Sequence, residues 1–236
     1  MEEFEREINL VGEENFEKIK NSNLIILGVG GVGGYCAEFF ARCGVGNITI
    51  VDFDKVSKNN INRQIIALNS TISEYKVDAF EKRLLDINPK LNLKTICKKV
   101  TETNLEEFNF EQYDYIIDSI DSFKSKIALI EYCNNHNLRL ISSSGAGNRY
   151  KTTSYEIKSI FDVKNDVFAR KIRVYMRRRK IKKLIVCAPN TLSDNNYIDK
   201  TKVLSMCYNI ALCGATIVSF VINEIIKKEM NENWAV

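Results

Sequence analysis

The chain has 236 residues, 45% hydrophobic and 27% charged, which is ordinary for a soluble globular protein and long enough for one large domain. The net charge is +4, but nine cations and no acids fall within residues 170–183, so the rest of the chain is mildly acidic. None of the seven cysteines is spaced as C-x-x-C, which excludes a local zinc knuckle or redox dithiol. The acidic N-terminus is not the pattern of a signal peptide, and we expect reduced thiols in a cytoplasmic protein.

Strand and helix patterns alternate through the first 145 residues. Apolar runs predict strands at 23–28, 47–52, 92–97, 113–118 and 138–143. Helical periodicity predicts helices at 32–43, 75–88 and 122–135. Such alternation predicts a doubly wound, Rossmann-like α/β fold with a mostly parallel sheet, which binds its ligand at the carboxyl ends of the strands.

The pattern changes after Gly147. We expect a polar strand at 149–160, a basic helix at 166–180, a short apolar strand at 184–187 and a polar loop at 188–201. Residues 203–222 carry no charge and are long enough to span a bilayer, but several polar residues interrupt them. We interpret this segment as a buried strand at 203–208 and a helix from Asn209, a C-terminal strand–helix elaboration. A membrane-spanning helix is the alternative.

The most informative motif is G-x-G-x-x-G, formed by Gly28, Gly30 and Gly33 after the first predicted strand. Gly28 permits a tight turn, Gly30 leaves room for phosphate against bare backbone, and Gly33 lets the helix pack on the strand. Asp52 ends the next apolar run, where an acid accepts the hydroxyls of a ribose. The pattern predicts a nucleotide site, with a purely structural glycine turn as the alternative.

A further motif, Asn-Ile-Asn-Arg-Gln at residues 60–64, has no reason to occur in a dehydrogenase. In these motifs the chain resembles the ubiquitin-activating-enzyme-like (ThiF/MoeB-type) superfamily. The residues that carry the resemblance are, besides 60–64, the glycines of 28–33, the acids of 52–54, Lys76 and Asp-Ser-Ile-Asp at 118–121. Members of this superfamily adenylate a carboxylate with ATP. Within it, the chain is most similar to the tRNA threonylcarbamoyladenosine dehydratases.

The resemblance implies a role for each polar residue of these motifs. A carboxylate that attacks the α-phosphate of ATP must overcome repulsion between anions, so the site needs cations and a metal. Arg63 and Lys76 would supply the cations, and Asp121 would hold Mg²⁺. The remaining nucleotide-binding set would be Gly28, Gly30, Gly31, Gly33, Asp52 at the ribose, Asp54, Asn62 and Gln64. Arg6 aligns with an arginine that reaches the ATP of a partner subunit, which implies a homodimer.

Several of these residues have a simpler alternative. Arg63 could form a surface salt bridge, Lys76 could be a solvated helix charge, and Asp54 could be a turn residue. Asp118 could cap the following helix instead of binding metal. Cys187 lies near the thioester cysteine of some superfamily members, but its apolar neighbours predict a buried structural thiol.

The basic helix bears on the substrate. Its cations suit an anionic polymer, because phosphate contacts dominate affinity for nucleic acid. We expect tRNA to bind here, with a merely solvated charged helix as the alternative. The expected contacts are Arg170, Arg173, Arg177, Arg178 and Lys180.

The resemblance, together with the basic helix, thus implies an ATP- and Mg²⁺-dependent enzyme that cyclises threonylcarbamoyladenosine in tRNA with net loss of water. Residues 1–147 would form the nucleotide-binding core and 148–236 the substrate side of a single domain. One alternative is adenylation of the C-terminal glycine of a ubiquitin-like sulfur carrier, with that carrier or a cysteine desulfurase as partner, although the paired C-x-x-C motifs typical of such enzymes are missing. A second alternative is a non-catalytic nucleotide-binding scaffold, which the presence of Arg63, Lys76 and Asp121 disfavours.

Overall fold

One seven-stranded sheet forms the centre of the molecule, in the order β3-β2-β1-β4-β5-β7-β6. The structure is a computed structural model, and it describes residues 2–164, 166–193 and 204–227. The strands are β1 (Asn23–Leu27), β2 (Asn47–Val51), β3 (Asn92–Ile96), β4 (Tyr115–Asp118), β5 (Leu140–Ser143), β6 (Tyr155–Ser159) and β7 (Ile185–Pro189). Neighbouring strands pair in parallel except β6 and β7, which are antiparallel. The predicted Rossmann-like, mostly parallel sheet is confirmed.

Helices cover both faces of this sheet. They are α1 (Glu5–Val11), α2 (Glu13–Asn21), α3 (Gly31–Arg42), α4 (Lys76–Ile87), α5 (Phe123–Asn135), α6 (Val167–Arg179) and α7 (Cys207–Ile226). The five strands and three helices predicted before residue 147 are all present, with their ends displaced by one or two residues. The two N-terminal helices, α1 and α2, were not predicted.

The side chains of β1 alternate between two apolar layers. Leu24 and Ile26 pack in the layer formed with α3, α4 and α7, whereas Ile25 and Leu27 pack in the layer formed with α5 and α6. All four side chains are fully buried. Because β1 is covered on both faces, it can be apolar throughout, and it delivers the chain to Gly28 from the middle of the sheet.

The strand predicted at 203–208 is wrong. Residues 204–206 are irregular and α7 begins at Cys207, while Val203 lies outside the described residues. The backbone of Leu204 pairs with Asn148 instead of with a strand: the Asn148 N–H donates to the Leu204 carbonyl at 2.6 Å, and the Leu204 N–H donates to Asn148 Oδ1 at 2.8 Å. The strand of the C-terminal elaboration is therefore β7. Of the loop predicted at 188–201, the structure describes residues 188–193.

The strand predicted at 149–160 is shorter than expected and comprises only β6. The reason is a buried amide on α7: Asn209 Nδ2 donates to the carbonyls of Arg149 and Lys151, and Asn209 Oδ1 accepts the N–H of Thr153. These backbone groups therefore find their partners on a helix and need no neighbouring strand.

By length and hydropathy, α7 is the one helix of the described chain that could cross a membrane. Its inward face nevertheless belongs to the core of the fold, since Cys213, Ile217 and Val221 are fully buried in the layer shared with α3. A buried core helix passes the same test of length and composition. The packing supports the interpretation of α7 as a core helix.

A buried carboxylate links α3 to α4. Glu38 Oε2 accepts a hydrogen bond from Arg83 Nε at 2.6 Å, and Glu38 Oε1 accepts one from Arg42 Nε at 3.0 Å. Burial acts to raise the pKa of Glu38, but the hydrogen bonds and charges of the two arginines outweigh it, so the pKa lies below its usual value. A lowered carboxyl pKa stabilises the fold above the unfolded pKa, and this stabilisation is lost as the pH falls through the folded pKa.

We predict that Glu38→Gln lowers the free energy of unfolding at pH 7 by about 2 kcal/mol, and that this difference from wild type begins to shrink as the pH falls below the ordinary pKa of a glutamate and vanishes only below the lowered pKa of folded Glu38. Urea denaturation across this pH range measures it. Glu81→Gln, which removes an exposed acid from α4, is the control and should change little. If Glu38→Gln lowered the free energy of unfolding as much at pH 3 as at pH 7, the assignment of a lowered pKa to Glu38 would be contradicted.

Candidate active site

The glycine motif places bare backbone where the ends of β1 and β4 meet. Gly28 has a φ of +83°, and a Cβ atom there would lie 3.0 Å from the Ser119 carbonyl oxygen. A Cβ atom on Gly33 would lie 1.9 Å from the Gly28 carbonyl oxygen, so the first turn of α3 packs directly on the loop. These two glycines have the turn and packing roles that their spacing predicted.

Gly30 is different because a Cβ atom there would overlap nothing: its nearest contact would be Gln64 Nε2, at 3.5 Å. Gly30 is also the N-cap of α3, where backbone N–H groups favour anions. Gly31 differs again, since a Cβ atom there would lie 3.0 Å from Ile210 of α7. A glycine at a helix N-terminus fits the phosphates of a nucleotide. The buried Gln64 Oε1, which has no hydrogen-bond partner among the described residues, could accept a donor of the nucleotide instead.

Asp52 and Lys76 form the polar wall beside this loop. The Asp52 carboxylate accepts the N–H of Val29 and the N–H of Asp54, each at 2.9 Å. Burial raises the pKa of Asp52, and the nearby Lys76 and the two N–H groups partly offset this. Lys76 Nζ donates to Asp54 Oδ2 at 2.9 Å and lies 3.9 Å from Asp52 Oδ1. Lys76 is only 4% exposed, so its simpler interpretation as a solvated helix charge does not hold.

Arg63 is partly exposed and is not paired with an acid among the described residues. Its Nη1 donates to the Asn59 carbonyl and to Asn62 Oδ1, both at 2.8 Å. Asn62 in turn donates to the Ser205 carbonyl at 3.3 Å, which joins this segment to the turn before α7. The alternative of a surface salt bridge is therefore not seen, and no acid of the described residues compensates the positive charge of Arg63.

Two predicted residues lie outside these contacts. Asp121 is exposed in the turn between β4 and α5, and nowhere in the described ranges do three His, Cys, Asp or Glu side chains come together as a metal site. Arg6 is exposed on α1, just after Phe4, which packs on Phe16 of α2 beside Gly44, ahead of the amino end of β2. That is the sheet end opposite the glycine loop, so the fold does not bring Arg6 to the site of its own chain.

The structure shows one polar cluster that sequence reasoning missed. Lys126 Nζ donates to Asp118 Oδ2 at 2.6 Å and to Ser142 Oγ at 3.1 Å, and all three side chains are buried. Asp118 therefore does not cap α5; Ser122 does, by accepting the N–H of Ser125. The sequence held a signal for this pair, because Lys126 shares the helical spacing of the buried α5 residues.

The predicted tRNA contacts on α6 divide into two groups. Arg170 and Arg178, with Lys171, line a groove of about 540 Å³ between the outer face of α6 and the start of α5. Its lining contains no acid, and its apolar members are Phe123, Val167, Val174 and Tyr175.

The other predicted contacts, Arg173, Arg177 and Lys180, do not line this groove. Arg173 Nη1 donates to the carbonyls of Ile160 and Val163, at 3.0 and 2.7 Å. Arg177 lies over the ring of Phe161, 6.0 Å from its centroid. Lys180 ends α6 in a left-handed conformation, with a φ of +58°.

Cys187 is a fully buried residue of β7. Its sulfur lies 3.7 Å from that of Cys213 on α7. The hydrogen bond from Cys213 and burial both raise the pKa of Cys187 far above its usual range, so the thiol is protonated and unreactive. The geometry agrees with the prediction of a structural thiol.

The glycines give a direct test of the nucleotide site. We predict that Gly33→Ala destabilises the fold by about 3 kcal/mol or more, because its methyl group would overlap the Gly28 carbonyl. Gly30→Ala should retain most of its stability but bind ATP at least about tenfold more weakly, because its methyl group takes up the phosphate space. Urea denaturation and calorimetric titration with ATP separate the two effects. Wild-type ATP affinity in Gly30→Ala would contradict the placement of the phosphates.

Comparisons with known proteins agree with this architecture. The family model of the ThiF family matches residues 4–232. The chain is 40% identical over 183 residues to the tRNA threonylcarbamoyladenosine dehydratase of Bacillus subtilis, covering 78% of this chain and 72% of that one. It is 34% identical over 164 residues to the Escherichia coli enzyme of the same name, covering 70% of this chain and 61% of that one.

Solved structures of the E. coli tRNA N6-threonylcarbamoyladenosine dehydratase are similar over nearly the whole chain. Its complex with AMP superposes with a TM-score of 0.90 at 28% identity, covering 97% of this chain and 95% of that one. Its complex with ATP superposes with a TM-score of 0.87 at 27% identity, covering 98% and 97%. With the glycine loop, the paired strand ends and the family match in agreement, the chain belongs to the ThiF family.

Proposed function

We propose that this protein is an ATP-dependent enzyme that adenylates the carboxylate of threonylcarbamoyladenosine in tRNA and cyclises it. A carboxylate oxygen attacks the α-phosphorus and pyrophosphate leaves. A nucleophilic atom of the carbamoyl group then attacks the activated carbonyl carbon, the bond to the AMP oxygen breaks, and one proton is released. The substrate has lost the elements of water, and ATP has become AMP and pyrophosphate.

The observation that carries this proposal is the arrangement of charge around Gly30. The N-terminus of α3 lies at Gly30, and Gln64 beside it directly follows Arg63, which has no acid partner among the described residues. Asp54 holds Lys76 beside Asp52, whose carboxylate accepts the N–H of Val29 in the same loop. Cations placed in advance where negative charge develops are what attack by one anion on another requires. Asp52, buried beside the same loop, remains the proposed ribose contact.

Mg²⁺ is the proposed metal. Mg²⁺ prefers oxygen ligands, retains water, and is commonly held by one or two carboxylates together with substrate phosphates. Asp121 offers one exposed carboxylate beside the glycine loop and would hold the metal, which supplies charge neutralisation at the phosphates. A single protein carboxylate fits a site in which the substrate phosphates and water supply the remaining oxygen ligands.

The groove between α5 and α6 supports a tRNA substrate. It carries three cations and apolar surface, and it begins at Phe123, two residues after Asp121. Phosphates and unstacked bases of single-stranded RNA suit a surface of this kind. Residues 148–236 would thus form the substrate side of the domain, next to a nucleotide-binding core at 1–147.

A homodimer is the proposed assembly. Arg6 lies away from the site of its own chain, which suits a residue that serves the partner's site. The turn before α7 and its first turns expose apolar side chains: Met206 is 44%, Tyr208 38% and Leu212 39% exposed. A second copy of the chain would cover this surface.

The described cysteines are all free thiols, which agrees with a cytoplasmic location.

The main rival is adenylation of a ubiquitin-like sulfur carrier, in which case a carrier or a cysteine desulfurase would be a partner. The same phosphate site would serve that reaction, so the choice rests on the substrate. The acid-free cationic groove favours RNA over the C-terminal tail of a protein.

We predict that the purified protein releases AMP from ATP in the presence of tRNA that carries threonylcarbamoyladenosine, and not with unmodified tRNA or a sulfur carrier. Arg63→Ala and Asp121→Ala should each lower the rate by at least about 100-fold. Lys58→Ala, which removes an exposed cation near Arg63 in sequence, should not. Thin-layer separation of labelled AMP measures the rate. Formation of an AMP–carrier adduct instead would establish the rival function.

We predict that the double variant Arg170→Glu/Arg178→Glu weakens tRNA binding at least about tenfold at constant salt, with unchanged ATP affinity. The control Lys94→Glu/Lys182→Glu makes the same change in net charge at exposed positions outside the groove. Filter binding with the modified tRNA compares them. Equal weakening by both double variants would show a general charge effect and contradict a site in the groove.

A further inference from the structure

A buried ion pair lies next to the turn that presents Asp121. Asp118, Lys126 and Ser142 are each no more than 1% exposed, and the Ser142 hydroxyl and Lys126 Nζ both donate to Asp118 Oδ2. Burying two charges costs several kcal/mol in desolvation, which their attraction offsets only in part. Apolar side chains at both positions 118 and 126 would pack at lower cost, so the pair calls for a role other than simple stability.

The other oxygen of Asp118 holds the backbone of the turn. Asp118 Oδ1 accepts the N–H of Ile120 at 3.0 Å, one residue before Asp121. On its other side the turn is attached to β1, because the Ser119 N–H donates to the Leu27 carbonyl at 2.9 Å. The carboxylate of Asp118 therefore determines how the chain leaves β4, and Lys126 and Ser142 determine the orientation of that carboxylate.

We propose that Lys126 and Ser142 are positioning residues for Asp121. They hold Asp118 in the one orientation that fixes the Ile120 N–H, and the fixed turn presents Asp121 toward the phosphate space beside Gly30. Neither side chain reaches solvent, so each acts through Asp118 and not by contact with a substrate. This inference rests on the proposed role of Asp121 as the Mg²⁺ ligand.

The test uses Ser142→Ala, which removes one hydroxyl and leaves the ion pair in place. Without nucleotide, we expect deuterium exchange of the amides at 119–122 to be at least fivefold faster than in wild type. With ATP, the Mg²⁺ concentration that gives half of the Mg²⁺-dependent gain in ATP affinity should rise at least threefold. Affinity for tRNA should not change.

Thr49→Val is the matched control. It removes a buried hydroxyl from β2 that bonds Tyr113 at 3.1 Å, away from the turn. It should lower stability without altering exchange at 119–122 or the Mg²⁺ requirement. If Ser142→Ala behaves like Thr49→Val in both measurements, the cluster is only structural and the inference is overturned.

A second variant tests the ion pair itself. Lys126→Met alone leaves a buried carboxylate uncompensated and is expected to fold poorly. Asp118→Asn/Lys126→Met removes both charges together, and it should fold while showing the same shift in Mg²⁺ requirement. A folded double variant with the wild-type requirement would overturn the inference.

Asp121→Asn separates the inference from the function on which it rests. Loss of the Mg²⁺-dependent gain in Asp121→Asn, with no shift in Ser142→Ala, would remove the positioning role and leave the proposed function intact. No change in Asp121→Asn itself would remove the metal role of Asp121, and the inference with it.

Discussion

The candidate site depends on the close approach of two strand ends. The loop after β1 packs against the end of β4 so tightly that a Cβ atom on Gly28 would lie 3.0 Å from the Ser119 carbonyl oxygen, and the first turn of α3 packs on the same loop so tightly that a Cβ atom on Gly33 would lie 1.9 Å from the Gly28 carbonyl oxygen. Because no side chain separates these ends, the N-terminus of α3, the carboxylate of Asp52 and the turn before α5 surround one space. On one side of that space Asp52 accepts a hydrogen bond from the Val29 N–H, and on the other side Asp118 accepts one from the Ile120 N–H.

Charge is distributed around this space in a consistent way. The two acids that follow β2 already have partners, since Asp52 accepts backbone N–H groups and Asp54 binds Lys76. Arg63 has no described acid partner, so its positive charge is open to an anion. The groove cations Arg170, Lys171 and Arg178 likewise have no acid partner among the described residues. The groove begins at Phe123, where the turn between β4 and α5 ends. Phosphates of a nucleotide and phosphates of RNA could therefore be bound on neighbouring surfaces of one sheet edge.

The parts of this arrangement that could be predicted are those that depend only on short stretches of sequence. The apolar run before Gly28 and the spacing to Gly33 identify a strand, a turn and a helix without knowledge of the rest of the chain. The irregular 149–154 segment was not predictable in that way, because its backbone partner Asn209 is distant in sequence. For the same reason the cations of α6 looked equivalent, although Arg173 supports a neighbouring turn and Arg170 faces the groove.

The proposed function requires that a carboxylate oxygen of the modified tRNA attacks the α-phosphorus of ATP at this sheet edge. Labelling that carboxylate with ¹⁸O and analysing the released AMP by mass spectrometry reports on this attack. The bridging oxygen of the activated carboxylate leaves with AMP when the ring closes, so we expect one ¹⁸O atom in each AMP formed. AMP that carries no label, while the tRNA retains both labelled oxygens, would show attack by another nucleophile and overturn the proposed adenylation.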